Sequence, residues 1–291
     1  MEILNNFPDF KLFILLAIPL CLLFLVYLAF KNVSTLGAII LTKMEGGRIK
    51  TNNFEKNVVY LFQMQCTSKA PNSSPHCLTV EAWLKYHKIP YVPVYSSMLK
   101  SKTGQIPYII FNGEEIDGPK DILDFLKKVF NIKPELSEED EKKSKALEKM
   151  IDEDFFNELM YFNIYKNKKL LKGYLLKLMP EYMAGLIFAS IYGPVKQHLD
   201  EIGMLELPEN EVYKSLEKHL VYFDEILGEK KYLFGNEATE ADFALFALLL
   251  TSFYGHSPKP LKTMFEKVPK LKIYMEEMLY ELYPRFSITY K

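Results

Sequence analysis

The sequence predicts three parts in series: one membrane-spanning helix, a small α/β unit with a mixed sheet, and an all-helical unit. Three observations predict this. An uncharged run of 19 residues, LFILLAIPLCLLFLVYLAF, fills Leu12–Phe30. Between Val58 and Phe130, strand and helix patterns follow the order β-α-β and then β-β-α. Beyond Pro134 only helical periodicity remains. The implied boundaries are a tail over 1–11, an anchor over 12–30, a linker over 31–56, the α/β unit over 57–131 and the helical unit over 132–291.

Composition narrows the function classes. A chain of 291 residues holds one large or two modest domains with real cores. A net charge of −1 with 25% charged residues excludes an extended nucleic-acid surface and an acidic tail. Three cysteines, Cys21, Cys66 and Cys77, are too few for a disulfide framework or a thiolate metal cluster, and fit a reducing compartment.

Lys11 and Lys31 bracket the apolar run. At 1.5 Å per residue it spans roughly 28 Å, against ~30 Å of bilayer hydrocarbon. A cleaved signal peptide is the alternative, but its core would be shorter and a small-x-small site would follow Phe30. A retained anchor is therefore expected, and Pro19 is tolerable within it. Lys31, Lys43, Arg48 and Lys50 outweigh Lys11, which puts the folded part in the cytosol, on a single-pass protein of a lysosomal, mitochondrial outer or other membrane. The sequons at Asn32 and Asn72 would carry glycans only in the opposite orientation.

Asn32–Lys56, with Gly46-Gly47, reads as a linker. VVYLFQ (Val58–Gln63) is a buried strand, and a Ser/Asn/Pro loop follows it. From Pro75, Leu78, Ala82, Leu84 and Tyr86 fall at helical spacing, and YVPVY (Tyr91–Tyr95) is the next strand. Tyr108–Phe111 and Glu114–Asp117 flank Asn112-Gly113, whose residues tolerate positive φ and make a hairpin turn. A helix then starts at Gly118-Pro119, with proline early enough that its missing N–H costs nothing.

A parallel β-α-β unit followed by a hairpin and a covering helix is the thioredoxin-like arrangement. In such folds the third strand follows a cis X–Pro bond. Pro107 fits that place; the alternative is an ordinary trans proline at a strand start. Later helices are expected over Ser137–Lys166, Lys169–His198 with breaks at Pro180 and Gly193, Glu209–Leu227, Thr239–Tyr254 and Pro258–Leu282. A small α/β unit followed by helices alone is the two-domain plan of glutathione transferases.

Ser74-Pro75-His76-Cys77 reads like the C-P-x-C of thioredoxin-like proteins with serine in the first position. A helix N-terminus stabilises an anion, so Ser74 is a candidate donor to a bound thiolate and Cys77 a candidate nucleophile. The competing reading makes Ser74 an N-cap and Cys77 a small core residue. Thr239 and Asp242 read as a reciprocal cap on a buried helix, a structural device.

VVYLFQ, SSPHCLTVEAWLKYHKIPY and GQIPYIIFNGEEIDGPKDILDFL together resemble the failed-axon-connections (Fax) family. So do SIYGPVKQHLDEIGM and KKYLFG…TEADFALFALL farther on, and the resemblance runs from about Val58 to Pro284. The family includes nematode cadmium-responsive proteins and is related to metaxins. It implies a glutathione-transferase-like fold, a membrane-associated location and a role in metal or xenobiotic stress. Glutathione or a peptide is the ligand so implied, met by the Ile106 backbone at Pro107 and by Asp117, Gly118 and Asp121. Active transferases place an acidic or amide residue and then serine where this chain has Gly118 and Pro119. The connection Ser96–Gln105 is also too short for their second helix.

Two functional classes follow. One is a membrane-anchored transferase-like enzyme in the stress response, using Ser74 or Cys77. The other is a catalytically silent module that binds a protein or peptide. Homodimerisation is compatible with either; no metal and no nucleic acid are expected.

Overall fold

The computed structural model describes residues 44–45, 48–49, 54–66, 70–95, 100–133, 136–178, 180–253 and 258–287. The chain divides into two units, Met1–Glu55 and Lys56–Lys291. In the first, strands β1 (Met44–Glu45) and β2 (Arg48–Ile49) form an antiparallel pair.

The second unit opens with β3 (Val59–Gln63), α1 (Pro75–Tyr86), β4 (Tyr91–Tyr95), β5 (Tyr108–Phe111), β6 (Glu114–Asp117) and α2 (Pro119–Phe130). The sheet order is β4-β3-β5-β6, with β3 parallel to β4 and β5 antiparallel to both its neighbours. Asn112 at φ 51° and Gly113 at φ 87° make the tight turn between β5 and β6, where the left-handed region suits their chemistry. Pro93 sits in the edge strand β4, the place where a strand proline is tolerated. The Ile106–Pro107 peptide is cis, as the element order led one to expect.

The helices that follow are α3 (Glu138–Met150), α4 (Phe156–Met160), α5 (Lys168–Leu178), α6 (Glu181–Glu201), α7 (Glu209–Leu227), α8 (Glu240–Phe253), α9 (Lys259–Phe265), α10 (Pro269–Leu282) and α11 (Pro284–Ser287). Wider π-helical turns, Ile151–Phe155 and Tyr161–Lys166, flank α4 and carry α3 onward as one rod. Helix α8 buries twelve of its fourteen residues and packs on α1, whose residues Cys77–Leu84 are buried all round. Trp83, Leu84, Phe243 and Phe246 belong to a single apolar cluster that joins the α/β layer to the helices.

Two expectations about helix breaks need revision. Gly193 and Pro194 lie inside α6, because buried Val195 and Leu199 beyond them hold the helix on course despite one lost backbone bond. The expected Pro258–Leu282 helix divides at Pro269, which opens α10.

The expected membrane anchor is corrected. Among the described residues, no helix is long and apolar enough to cross a membrane. The most apolar, α8, has 14 residues, a length of roughly 21 Å against ~30 Å of hydrocarbon, and its apolar surface is spent on the core. Leu12–Phe30 lies outside the described residues. The spanning helix, the membrane-anchored function, the membrane as partner and the single-pass localisation therefore give way to a mixed-sheet layer with an all-helical layer.

Candidate functional site

The loop after β3 is shaped by Asn72, buried at the end of the sheet. Its amide donates to Gln63 Oε1 at 3.1 Å and to the Met64 carbonyl at 2.9 Å, and its Oδ1 accepts from Ser74 N–H at 2.9 Å. That brace presents Ser74 as the N-cap of α1, its Oγ accepting from Cys77 N–H at 3.4 Å. Cys77 is fully buried. Burial pushes its thiol up, against the pull of the Met64 N–H and the Ser74 hydroxyl, so the sulfur is a protonated thiol at neutral pH.

A second group forms where β6 meets α2. Gly118, at φ 80°, caps α2 and donates its N–H to the Pro107 carbonyl at 3.2 Å, which ties the helix start to the segment before β5. Thr103 donates its hydroxyl to Asp117. The Ser101 and Thr103 hydroxyls hold the Asp117 carboxyl below its ordinary range. Asp117 thus braces the 101–105 loop, while Asp121 is exposed on the first turn of α2. The structure brings Ser74 to Cys77, and Pro107 to Asp117 and Gly118.

Between these helix starts and the α3 rod lies a cleft of about 610 Å³. His76 and Thr79 of α1, Pro119, Lys120 and Lys127 of α2, and Ser144, Glu148 and Asp152 of the rod line it. Lys127 closes one end by bridging Asp124 at 2.9 Å and Glu240 at 2.7 Å. His76 packs its ring 4.9 Å from Phe156, and burial lowers its pKa. Desolvation by the cleft walls lifts Glu148 to about 7, and lifts Asp152, more open to water, to about 6. Among the described residues, no group of three or more His, Cys, Asp or Glu is placed to hold a metal ion.

Sequence reasoning missed His76, Lys120, Glu148 and Asp152. Only the i,i+4 spacing of Glu148 and Asp152 hinted at a shared face, and on a helix as charged as EEDEKKSKALEKM that face reads as solvated.

At α8 the geometry differs from the expected reciprocal cap. Asp242 accepts from Thr239 N–H at 2.8 Å, but the Thr239 hydroxyl donates to the same carboxylate at 2.8 Å instead of accepting from Asp242 N–H.

Two family models match the chain. Glutathione S-transferase N-terminal domain covers residues 75–169, and Glutathione S-transferase, C-terminal domain covers residues 216–278. Failed axon connections of Drosophila melanogaster is 29% identical over 257 residues, covering 81% of this chain; the chain spans 60% of that relative's length. Among solved structures, glutathione transferase GSTFuA3 from Phanerochaete chrysosporium superposes with a TM-score of 0.53 at 12% identity, over 78% of this chain and 98% of the other. A glutathione S-transferase from Methylobacterium radiotolerans, in complex with glutathione sulfonate, gives 0.51 at 14% identity over 79% and 93%.

Proposed function

We propose, from the premise that the chain is a Fax-like protein with the glutathione-transferase fold, that it binds glutathione or a similar small thiol peptide in the cleft where α1 and α2 begin. The observation that carries the reading is the convergence of those two helix starts on one cleft, lined by His76, Pro119 and Lys120 and faced by Glu148 and Asp152. A zwitterionic peptide suits walls of mixed charge: its carboxylates meet Lys120, and its ammonium meets the two acids. In the same proposal Ser74, Ile106, Asp117, Gly118 and Asp121, none of which lines this cleft, act by positioning the starts of α1 and α2. The fold's likeness to a transferase in complex with glutathione sulfonate supports the ligand class.

Binding without thiol activation is the form the geometry favours. Ser74 is absent from the cleft lining, Cys77 is a buried protonated thiol, and Pro119 offers neither hydroxyl nor N–H. The setting proposed is metal or xenobiotic stress, as the Fax resemblance implies.

Calorimetric titration of glutathione into the full chain tests this. Saturable binding is expected, weakened about tenfold in Lys120→Glu by loss of one charge-assisted contact. No conjugation of a thiol-reactive aryl halide above the buffer rate is expected. Absence of saturable glutathione binding overturns the ligand; conjugation lost in Ser74→Ala overturns the silent form.

A further inference from the structure

The two helices whose starts border the cleft also end together. Helix α1 closes at Tyr86 with His87 as its C-cap, and α2 closes at Phe130 with Asn131 as its C-cap, left-handed at φ 52°. Between these two ends and the start of α8 lies a second cavity, of about 300 Å³. Its walls include Trp83, Tyr86, His87, Ile132, Glu237 and Glu240. Glu240 also lines the cleft, where Lys127 meets its Oε1 at 2.7 Å, so one side chain stands between the two spaces.

The electrostatics of the cavity favour a positive charge. A helix C-terminus carries the negative end of the macrodipole, and two of them converge here. The positive end of α8 is met by Glu240 in its first turn and by Asp242 on the Thr239 N–H. Of the charged residues on the lining, Glu237 and Glu240 are acidic, and Lys133, at the exposed rim, is basic. Lys127 does not serve Glu240 alone, since it also meets Asp124 at 2.9 Å. Burial holds the His87 imidazole below its ordinary range, against the pull of Glu240, so it is neutral at neutral pH.

The other walls are aromatic or apolar, and they are fixed. The Tyr86 hydroxyl accepts from Ala238 N–H at 3.1 Å, and its ring meets Phe243 at 5.3 Å and Tyr232 at 5.8 Å, edge to face. His87 packs against Trp83 at 4.5 Å and Tyr86 at 5.1 Å. Aromatic rings beside carboxylates attract organic cations, and the carboxylates repel an anion. A metal ion is poorly served, because among the described residues no group of three or more His, Cys, Asp or Glu is placed to hold one.

We propose that this cavity is a second binding site, for a small organic ammonium whose charged head lies between Glu237 and Glu240 and whose apolar body lies against Tyr86, His87 and Ile132. It differs from the cleft in the charge it selects. The same two helices offer their positive ends to the cleft and their negative ends to this cavity.

Trp83, the chain's single tryptophan, lines the cavity and serves as the reporter. Butylammonium is titrated into the full chain and the tryptophan emission followed, with calorimetry on the same samples. Butanol and butyrate are the controls of similar size. Saturable binding is expected of butylammonium alone. Glu237→Gln, at the rim, should raise the dissociation constant about threefold, and Glu240→Gln, less exposed, about tenfold. Lys133→Glu should lower it, a gain that damage to the fold cannot give. Absence of saturable binding in both measurements overturns the proposal, as does an equal response to butanol. So does an affinity that follows Glu148→Gln in the cleft and ignores Glu237→Gln and Lys133→Glu.

Discussion

Asp242 and Glu148 are two carboxylates on helices that face the α/β layer, and they meet burial in opposite ways. Asp242, fully buried at the start of α8, accepts from Leu233 N–H, Thr239 N–H and the Thr239 hydroxyl at 2.8 Å each, and from the Tyr274 hydroxyl at 3.0 Å. Glu148, on the wall of the cleft, accepts from the Ser144 hydroxyl at 3.0 Å. Burial pushes both carboxyls up. At Asp242 four donors pull the other way and tie three segments of chain together. A carboxylate so completely used is scaffold, whereas Glu148 keeps acceptor capacity toward the cleft and stays available to whatever enters it.

The largest effect expected from this contrast is at Asp242. Asp242→Ala leaves the buried Leu233 N–H, Thr239 N–H and Thr239 hydroxyl without their acceptor, while the Tyr274 hydroxyl keeps the residue-242 carbonyl at 3.0 Å. At roughly 1–3 kcal/mol for each such group, the loss should reach about 4 kcal/mol or more. Urea denaturation measures it. A cost under about 1 kcal/mol would mean that water or a shifted backbone reaches these groups, and the contrast with Glu148 would collapse.

A third carboxylate sharpens the comparison. Glu158 is buried like Asp242, but its partner is a single titratable group, His219, with Nδ1 at 2.7 Å. The hydrogen bond to Glu158 raises the histidine pKa above 6.5. The folded chain therefore holds the proton more tightly than the unfolded chain. The stabilisation is complete below pH 6.5 and is lost as pH rises through the folded value. His219→Gln should cost about 2 kcal/mol at pH 6, where it removes a charged partner from a buried acid, and distinctly less at pH 9. Equal losses at both pH values would show that packing against Phe155 and Phe223, not charge, gives His219 its worth.

The same three acids show what the sequence makes legible. One half of the Thr239–Asp242 cap, the Asp242 carboxylate on the Thr239 N–H, could be read because capping is local: the two residues lie three apart, and the apolar run of α8 announces a helix that must begin there. The sheet order and the place of Pro107 were legible for a similar reason, since strand period, the Asn112-Gly113 turn and element order are all short-range patterns. The cleft was not. His76, Lys120, Glu148 and Asp152 come from three segments that meet only when α2 and the α3 rod are laid against α1. On their own helices they look like ordinary solvated residues. The π-helical turns that continue the rod carry no composition signal either.

The smallest effect expected is a gain. The Glu148 carboxyl is lifted from 4.5 to about 7, chiefly by burial. A carboxyl with a raised pKa binds its proton more tightly in the folded chain than in the unfolded chain. Below pH 4.5 both forms are protonated and nothing is lost; between 4.5 and 7 the folded state loses stability as pH rises; above 7 the penalty is complete. Glu148→Gln removes the charge and keeps the shape, so it should stabilise the chain at pH 8 and be neutral at pH 4. Because the cleft is open to solvent, the gain should be only about 1 kcal/mol, below what the shift alone implies. Paired urea titrations of the two chains at pH 4 and pH 8 read this, since His219 titrates in both and cancels in the difference, while Asp152, whose charge helps to lift Glu148, is counted with the effect. A variant less stable at pH 8 would show that Glu148 is held by the cleft lysines instead of merely desolvated. Glu148 would then belong with Asp242 as scaffold, and the cleft would lose the acid that distinguishes it.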